Sequence, residues 1–215
     1  MFKGIKGVIF DLDGTLLDSM HIWQDVDYQY LKRYGKTWDP SFSEDIKKMT
    51  FKESARYFID RFDIPKSERE IMDEWNEMVE VKYRDEIELK SGAYELVKLL
   101  SEKGIKMCVA TSCNIKHAQL AINRLKLSPY FMFVKTCKEV GKNKEYPDIY
   151  LKCAEDMELN PSEVIVFEDL LIAIKVAKKA NFKTCAVSDM LSEHEKDKLI
   201  RNSDFYIEDF NDIKM

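Results

Sequence analysis

Two aspartates one residue apart, Asp11 and Asp13, close the apolar run Gly7-Val8-Ile9-Phe10. Side chains alternate along an extended backbone, so residues i and i+2 point the same way. If the run is a strand, both carboxylates face one mouth of a sheet, and ligands bind at the carboxyl ends of strands in open α/β sheets. Two like charges this close need a cation or must share a proton, and hard oxygen ligands suggest Mg²⁺. An EF-hand also spaces its aspartates, but its glycine stands at loop position six, whereas Gly14 directly follows Asp13. A solvated Asp-Gly turn is the plain alternative; the placement after a buried strand argues against it.

Three further polar elements stand at or beside the ends of apolar runs. Thr111-Ser112 follows Lys106-Met107-Cys108-Val109-Ala110, where a hydroxyl and backbone N–H groups suit a phosphate at a helix N-terminus. Glu168-Asp169 follows Val164-Ile165-Val166-Phe167 and would complete a magnesium site. Lys144 lies in the polar loop Lys142-Asn143-Lys144-Glu145-Tyr146-Pro147-Asp148, ahead of a helical pattern. Each is ordinary alone: the first two serve equally as helix caps, and a loop lysine is usually just solvated. Their significance lies in the combination.

The elements that must position these groups read as α/β. The apolar runs at Gly7–Phe10, Lys106–Ala110, Val164–Phe167 and Thr184–Val187 are near-continuous, as strands covered on both faces should be, and a further strand is expected at Phe205–Ile207. Helical patterns alternate with them over 93–103, 115–125, 148–157 and 172–180. This predicts a Rossmann-like parallel sheet with right-handed crossovers. Residues 18–89 break the rhythm: they are charge-dense, lack a buried strand and hold all three tryptophans, Trp23, Trp38 and Trp75. They read as a small α-helical cap domain inserted into a catalytic core of residues 1–17 and 90–215, with hinges near Gly14 and Gly92. Trp23, Trp38 and Phe51 are expected to form the cap's own core.

Composition excludes several classes. The 215 residues carry 34 basic and 39 acidic side chains, a net charge of −5, with the signs interspersed. A nucleic-acid surface would show a basic excess. Only seven glycines are present, and neither GxGxxG nor GxxxxGK[ST] occurs, so phosphate is not bound by a glycine-rich cradle. The five cysteines form no CxxC pair, which fits a reducing compartment better than a disulfide framework or zinc site. The first apolar run is too short for a signal peptide, and 18 consecutive apolar residues occur nowhere, so a cytoplasmic protein without membrane spans, monomeric by default, is expected.

In order and spacing, the DxDGT strand end, the Thr/Ser strand end, the loop lysine and the acidic strand end resemble the haloacid dehalogenase superfamily. The likeness is to its helical-capped branch, which holds β-phosphoglucomutase and many small phosphatases. It covers essentially the whole chain, including VIFDLDGTLLDS, K-x-x-P-D-I-Y and VIVFED. The resemblance implies that Asp11 attacks phosphorus and that Asp13 is general acid and then general base. Mg²⁺ would be held by the Asp11 carboxylate, the Asp13 carbonyl and Asp169, with Glu168 nearby, while Thr111, Ser112 and Lys144 bind phosphoryl oxygens. The implied substrate is a small phosphorylated metabolite, plausibly a sugar or polyol phosphate.

Departures from the family pattern are informative. Leu170 replaces a serine that would cap a helix, Ala173 and Asn181 replace glycines, and Glu145 replaces a proline beside Lys144, for whose role Lys142 is a competitor disfavoured by the register of Pro147-Asp148. In the cap, Lys48-Met49-Thr50-Phe51-Lys52-Glu53 places Phe51 where mutases carry a phosphate-binding arginine, with Lys52 beside it. Hydrolysis is therefore expected over mutase chemistry; a hexose-phosphate mutase and a non-catalytic binding protein are the alternatives.

Overall fold

The computed structural model describes residues 1–37, 39, 49 and 51–214, with Trp23 represented by its backbone. Trp38, Lys48, Thr50 and the Trp23 side chain thus lie outside the described residues. Strands β1 (Gly7–Phe10), β2 (Lys106–Thr111), β3 (Val134–Thr136), β4 (Val164–Glu168), β5 (Lys183–Val187) and β6 (Phe205–Ile207) form one sheet in the order β3-β2-β1-β4-β5-β6. All five pairings are parallel. This is the Rossmann-like α/β fold. The chain leaves β1 toward β2 and later returns to β1's other side with β4, so the strand order reverses at β1. In an open α/β sheet, ligands bind outside the carboxyl ends of the strands at such a reversal.

The expected strands form, with β2 reaching Thr111 and β5 starting at Lys183. Strand β3 carries no sequence signal: three residues, half-buried at the sheet edge, are too short for an apolar run or an alternation to show. The crossover helices are α4 (Ala93–Glu102), α5 (Ile115–Arg124), α6 (Asp148–Asp156) and α7 (Leu171–Lys179), each within a residue or so of its periodic pattern.

Register decides which side chains share a face. Ile9 pairs with Cys108 on one side and Val166 on the other. These residues, Ala110, and Ile149, Tyr150 and Cys153 of α6 make one fully buried cluster with Ala173 and Ala177 of α7. Phe10 points to the opposite face, where its ring stacks on Phe167 at 5.0 Å and meets the edges of Phe131 and Phe210. By the same two-residue period, Asp11 follows Ile9, and Glu168 follows Val166, onto the face that α6 covers.

The chain divides into two compact units: Met1–Met20 with Ile87–Met215, and His21–Glu86. The second has its own core, built from α1 (Ile22–Arg33), α2 (Phe51–Phe62) and α3 (Glu68–Val81). Ser67 and Glu70 form a reciprocal capping box that starts α3. Trp75 packs against Phe58 and Tyr30 at ring separations of 4.8 and 5.7 Å, and such aromatic pairs add about 0.5–1.5 kcal/mol each beyond area burial. Tyr30 Oη and Lys66 Nζ both reach the Glu74 carboxylate, at 2.8 Å each. Among the described residues no helix is long and apolar enough to cross a membrane.

Asp27 lies on the flank of α1 shared with Tyr30 and Leu31, three and four residues on. Burial pushes its carboxyl from 3.8 up to about 7. A folded-state value above the unfolded one favours folding below about pH 4, and this contribution is lost as pH rises through 7. Asp27→Asn is therefore expected to raise stability at pH 8 relative to wild type, by at most about 4 kcal/mol, and Tm with it, and to do so much less at pH 5. Parallel Tm–pH curves for the two proteins would refute this.

Candidate active site

The strand ends bring Asp11, Glu168, Asp169 and Lys144 together in a buried cluster, each 5% exposed or less. One oxygen from each of the three carboxylates lies within 4.8 Å of the others. Lys144 Nζ donates to Asp11 Oδ1 and to Glu168 Oε1. The loop ahead of α6 delivers this lysine because α6 covers the face onto which the sheet pleat turns Asp11 and Glu168. Lys142 and Lys144, two residues apart, part company completely. The Lys142 ammonium sits over the exposed ring of Tyr146, 4.3 Å from its centroid, while Lys144 turns inward. Glu145 is exposed, its backbone N–H donating to Asn143 Oδ1.

The Glu168 carboxylate is saturated by donors. Oε1 accepts from Lys144 and, at 3.0 Å, from Tyr150 Oη; Oε2 accepts the backbone N–H groups of Asp169 and Leu170 at 3.0 and 3.1 Å. Glu168 thereby tethers the two N–H groups that lead into α7, whose N-cap Leu170 offers no side-chain acceptor. Ala173, in place of a glycine, is fully buried in the core cluster. Asn181 adopts φ 70°, so the left-handed turn that a glycine would favour persists with asparagine, a residue that tolerates it.

Asp169 is held by Thr15, whose hydroxyl donates to its Oδ1 at 3.2 Å. Its Oδ2 lies 2.7 Å from where a Cβ on Gly14 would stand, and Gly14 has φ +80°. Only a residue without a Cβ passes this close. Asp13 is half-buried, and its Oδ1 accepts from Ser19 Oγ at 2.7 Å. Thr111 is 1% exposed; its Oγ1 accepts the Cys113 N–H at 2.9 Å, which leaves the hydroxyl proton to donate. Ser112 is exposed, with Oγ 3.4 Å from Cys137 Sγ, outside the buried cluster. In the helical unit, the Phe51 ring lies 5.4 Å from that of Trp75, and Lys52 pairs with Glu68 at 3.6 Å. The hydroxyls of Thr15, Ser19 and Tyr150 join the site beyond the residues the sequence singles out. Thr15 and Ser19 had a signal, polar hydroxyls within six residues of the paired aspartates; Tyr150 had none beyond its place in K-x-x-P-D-I-Y.

Charge governs what this cluster can hold. With all three ionised, three buried carboxylates against one ammonium would leave two negative charges uncompensated, and burying an unpaired ion costs several kcal/mol. Burial pushes the Asp11 carboxyl up to about 7, opposed by Lys144 and reinforced by Glu168. Asp169 is raised by burial and then by the Glu168 and Asp11 charges. Burial also opposes the charge on Lys144, but Asp11 and Glu168 outweigh it and hold the ammonium protonated. The donor set is all oxygen and the excess on full ionisation is two charges, so the residues fit a hard divalent cation.

Residues 8–187 match the profile of the haloacid dehalogenase-like hydrolase family, and the chain belongs to that family. Among curated relatives, the mitochondrial (DL)-glycerol-3-phosphatase 1 of Arabidopsis thaliana is 32% identical over 193 residues, 86% of this chain and 64% of that protein. The bifunctional riboflavin kinase/FMN phosphatase of the same plant is 27% identical over 97% of this chain and 54% of its own length. The chain therefore spans little more than half to two thirds of these two relatives. The phosphorylated carbohydrates phosphatase of Thermotoga maritima is 26% identical over 83% of each chain. In structure, a Thermotoga maritima protein proposed to be a β-phosphoglucomutase superposes with a TM-score of 0.85 over 94% of each chain at 24% identity, a likeness of fold.

Replacing Gly14 by alanine should strain the left-handed backbone and displace the Asp169 carboxylate. The expected outcome is a loss of about 1–2 kcal/mol of stability together with weaker binding of a divalent cation, read by thermal unfolding and calorimetric titration with Mg²⁺. Cation binding equal to wild type would show that the close approach is not what places Asp169.

Proposed function

We propose that the protein is a Mg²⁺-dependent phosphatase that hydrolyses a small phosphorylated metabolite, a sugar or polyol phosphate, through an aspartyl-phosphate on Asp11. The observation that carries this reading is the buried Lys144 ammonium bridging Asp11 and Glu168 beside Asp169. A phosphoryl group is a dianion, and this arrangement supplies a fixed cation, a carboxylate that could act as nucleophile and a place for a second cation within one cluster. The relatives named for glycerol phosphate and phosphorylated carbohydrates support the substrate class.

Asp11 would attack phosphorus with a carboxylate oxygen, and the bond from phosphorus to the leaving oxygen breaks. Asp13, only half-buried and steered by Ser19, would donate its proton to that oxygen. As a carboxylate it would then take a proton from the water that attacks the acyl phosphate, releasing inorganic phosphate and regenerating Asp11. Lys144 and the Thr111 hydroxyl would hold the phosphoryl oxygens. Asp11 and Asp169, with the Asp13 backbone carbonyl, would hold Mg²⁺; Glu168, its acceptor positions already filled, would fix Lys144 and the start of α7. When bound, the cation supplies charge neutralisation at the transferring group. The helical unit, carrying Phe51 and Lys52, would act as a cap that selects the leaving group.

A panel of phosphate monoesters assayed with Mg²⁺ tests this. Hydrolysis of sugar or polyol phosphates is expected, with Asp11→Asn slower by on the order of 10³–10⁶-fold, and Asp169→Asn requiring more Mg²⁺. No turnover across the panel, with Asp11→Asn indistinguishable from wild type, would sink the proposal. Interconversion of hexose phosphates without net release of phosphate would replace it with a mutase.

A further inference from the structure

We infer that Tyr150 is a positioning residue for phosphoryl transfer, acting through Glu168 on Lys144. The inference rests on the phosphatase reading of Lys144 given above. Tyr150 stands on the first turn of α6, is fully buried, and its ring meets the edge of Phe182 at 6.2 Å within the core cluster. Packing alone would be satisfied by phenylalanine. The hydroxyl, however, is directed 3.0 Å from Glu168 Oε1, the same oxygen that accepts from Lys144 Nζ. A phenol in this place remains protonated, since burial and the Glu168 and Asp11 charges raise it well above its ordinary value. It is therefore a permanent donor.

The geometry explains why a donor is needed. A buried carboxylate must have its lone pairs engaged. Two backbone N–H groups occupy Glu168 Oε2, so that oxygen is set by the chain itself. Oε1 has a flexible lysine as its other partner, and a lysine ammonium is a point charge with three rotatable donors that does not define a direction. The Tyr150 hydroxyl supplies that direction from a rigid helix. Glu168 becomes a bracket with three fixed supports, and Lys144 is the one partner left to swing, held toward Asp11. Near-attack geometry is sensitive to displacements of this size. Because Tyr150 and Lys144 lie six residues apart on either side of the start of α6, one segment carries both the cation and its support.

Tyr150→Phe keeps the ring and removes one oxygen. Relative to wild type, kcat is expected to fall on the order of tenfold, the scale of one hydrogen bond to a charged group, with KM within about twofold and Tm lowered by only a few degrees. In a Glu168→Gln background the same substitution should cost little, because the bracket is already broken. The Lys144 ammonium resonance, assigned by its loss in Lys144→Arg, should shift or broaden in Tyr150→Phe, a readout independent of turnover. If Tyr150→Phe leaves both kcat and this resonance unchanged, the inference is overturned. It is equally overturned if kcat falls only in proportion to folded protein while the resonance stays put. A wild-type enzyme inactive on every ester would sink the phosphatase reading, and the ammonium resonance alone would then decide the role of Tyr150.

Discussion

Carboxylates placed on neighbouring strands of a buried sheet repel one another and have lost their water. Asp11 and Glu168 are in this position because β1 and β4 are adjacent and in register, and Asp169 adds a third charge one residue on. Much of the structure around the strand ends compensates for that repulsion. Lys144 is drawn in from the loop ahead of α6, Thr15 holds Asp169, and Gly14 makes room for it. Full ionisation would still leave two negative charges, which is why the all-oxygen cluster suits a divalent cation. A structure optimised only for stability would not tolerate this surplus; strain of this kind concentrates where function is carried.

The two aspartates that look equivalent in the sequence are treated differently by the fold. Asp11 is buried and pinned by Lys144, whereas Asp13 is only half-buried and held by a hydroxyl. These two environments suit the roles proposed for them, a fixed position for Asp11 and access to water for Asp13. The same local backbone offers both environments because the chain leaves the sheet after Asp11 and turns at Gly14.

The departures around α7 are absorbed without disturbing this arrangement. Where Leu170 offers no capping oxygen, Glu168 accepts the N–H groups of Asp169 and Leu170. Ala173 fills core volume, and Asn181 keeps the left-handed turn after the helix. The tether toward α7 and the support of Lys144 have thus converged on one carboxylate, which makes Glu168 more central than a metal-adjacent acid would need to be. In the helical unit the aromatic side chains of Tyr30, Phe51, Phe58 and Trp75 pack on one another, so its stability comes from its own core.

Fold class and strand ends are legible in the sequence, because apolar runs with a polar stop are local patterns and survive without their neighbours. So is the parity that puts Asp11 on the Ile9 face, since alternation is a property of any strand. Strand β3 is not: three edge residues carry no pattern. Convergence, by contrast, belongs to the folded chain. Nothing local distinguishes the inward Lys144 from the outward Lys142, or shows that Tyr150 and Lys144 share one oxygen of a glutamate 18 and 24 residues away. Those facts depend on which helix covers which face of the sheet. That is settled by strand order and crossover handedness, and no single segment contains it.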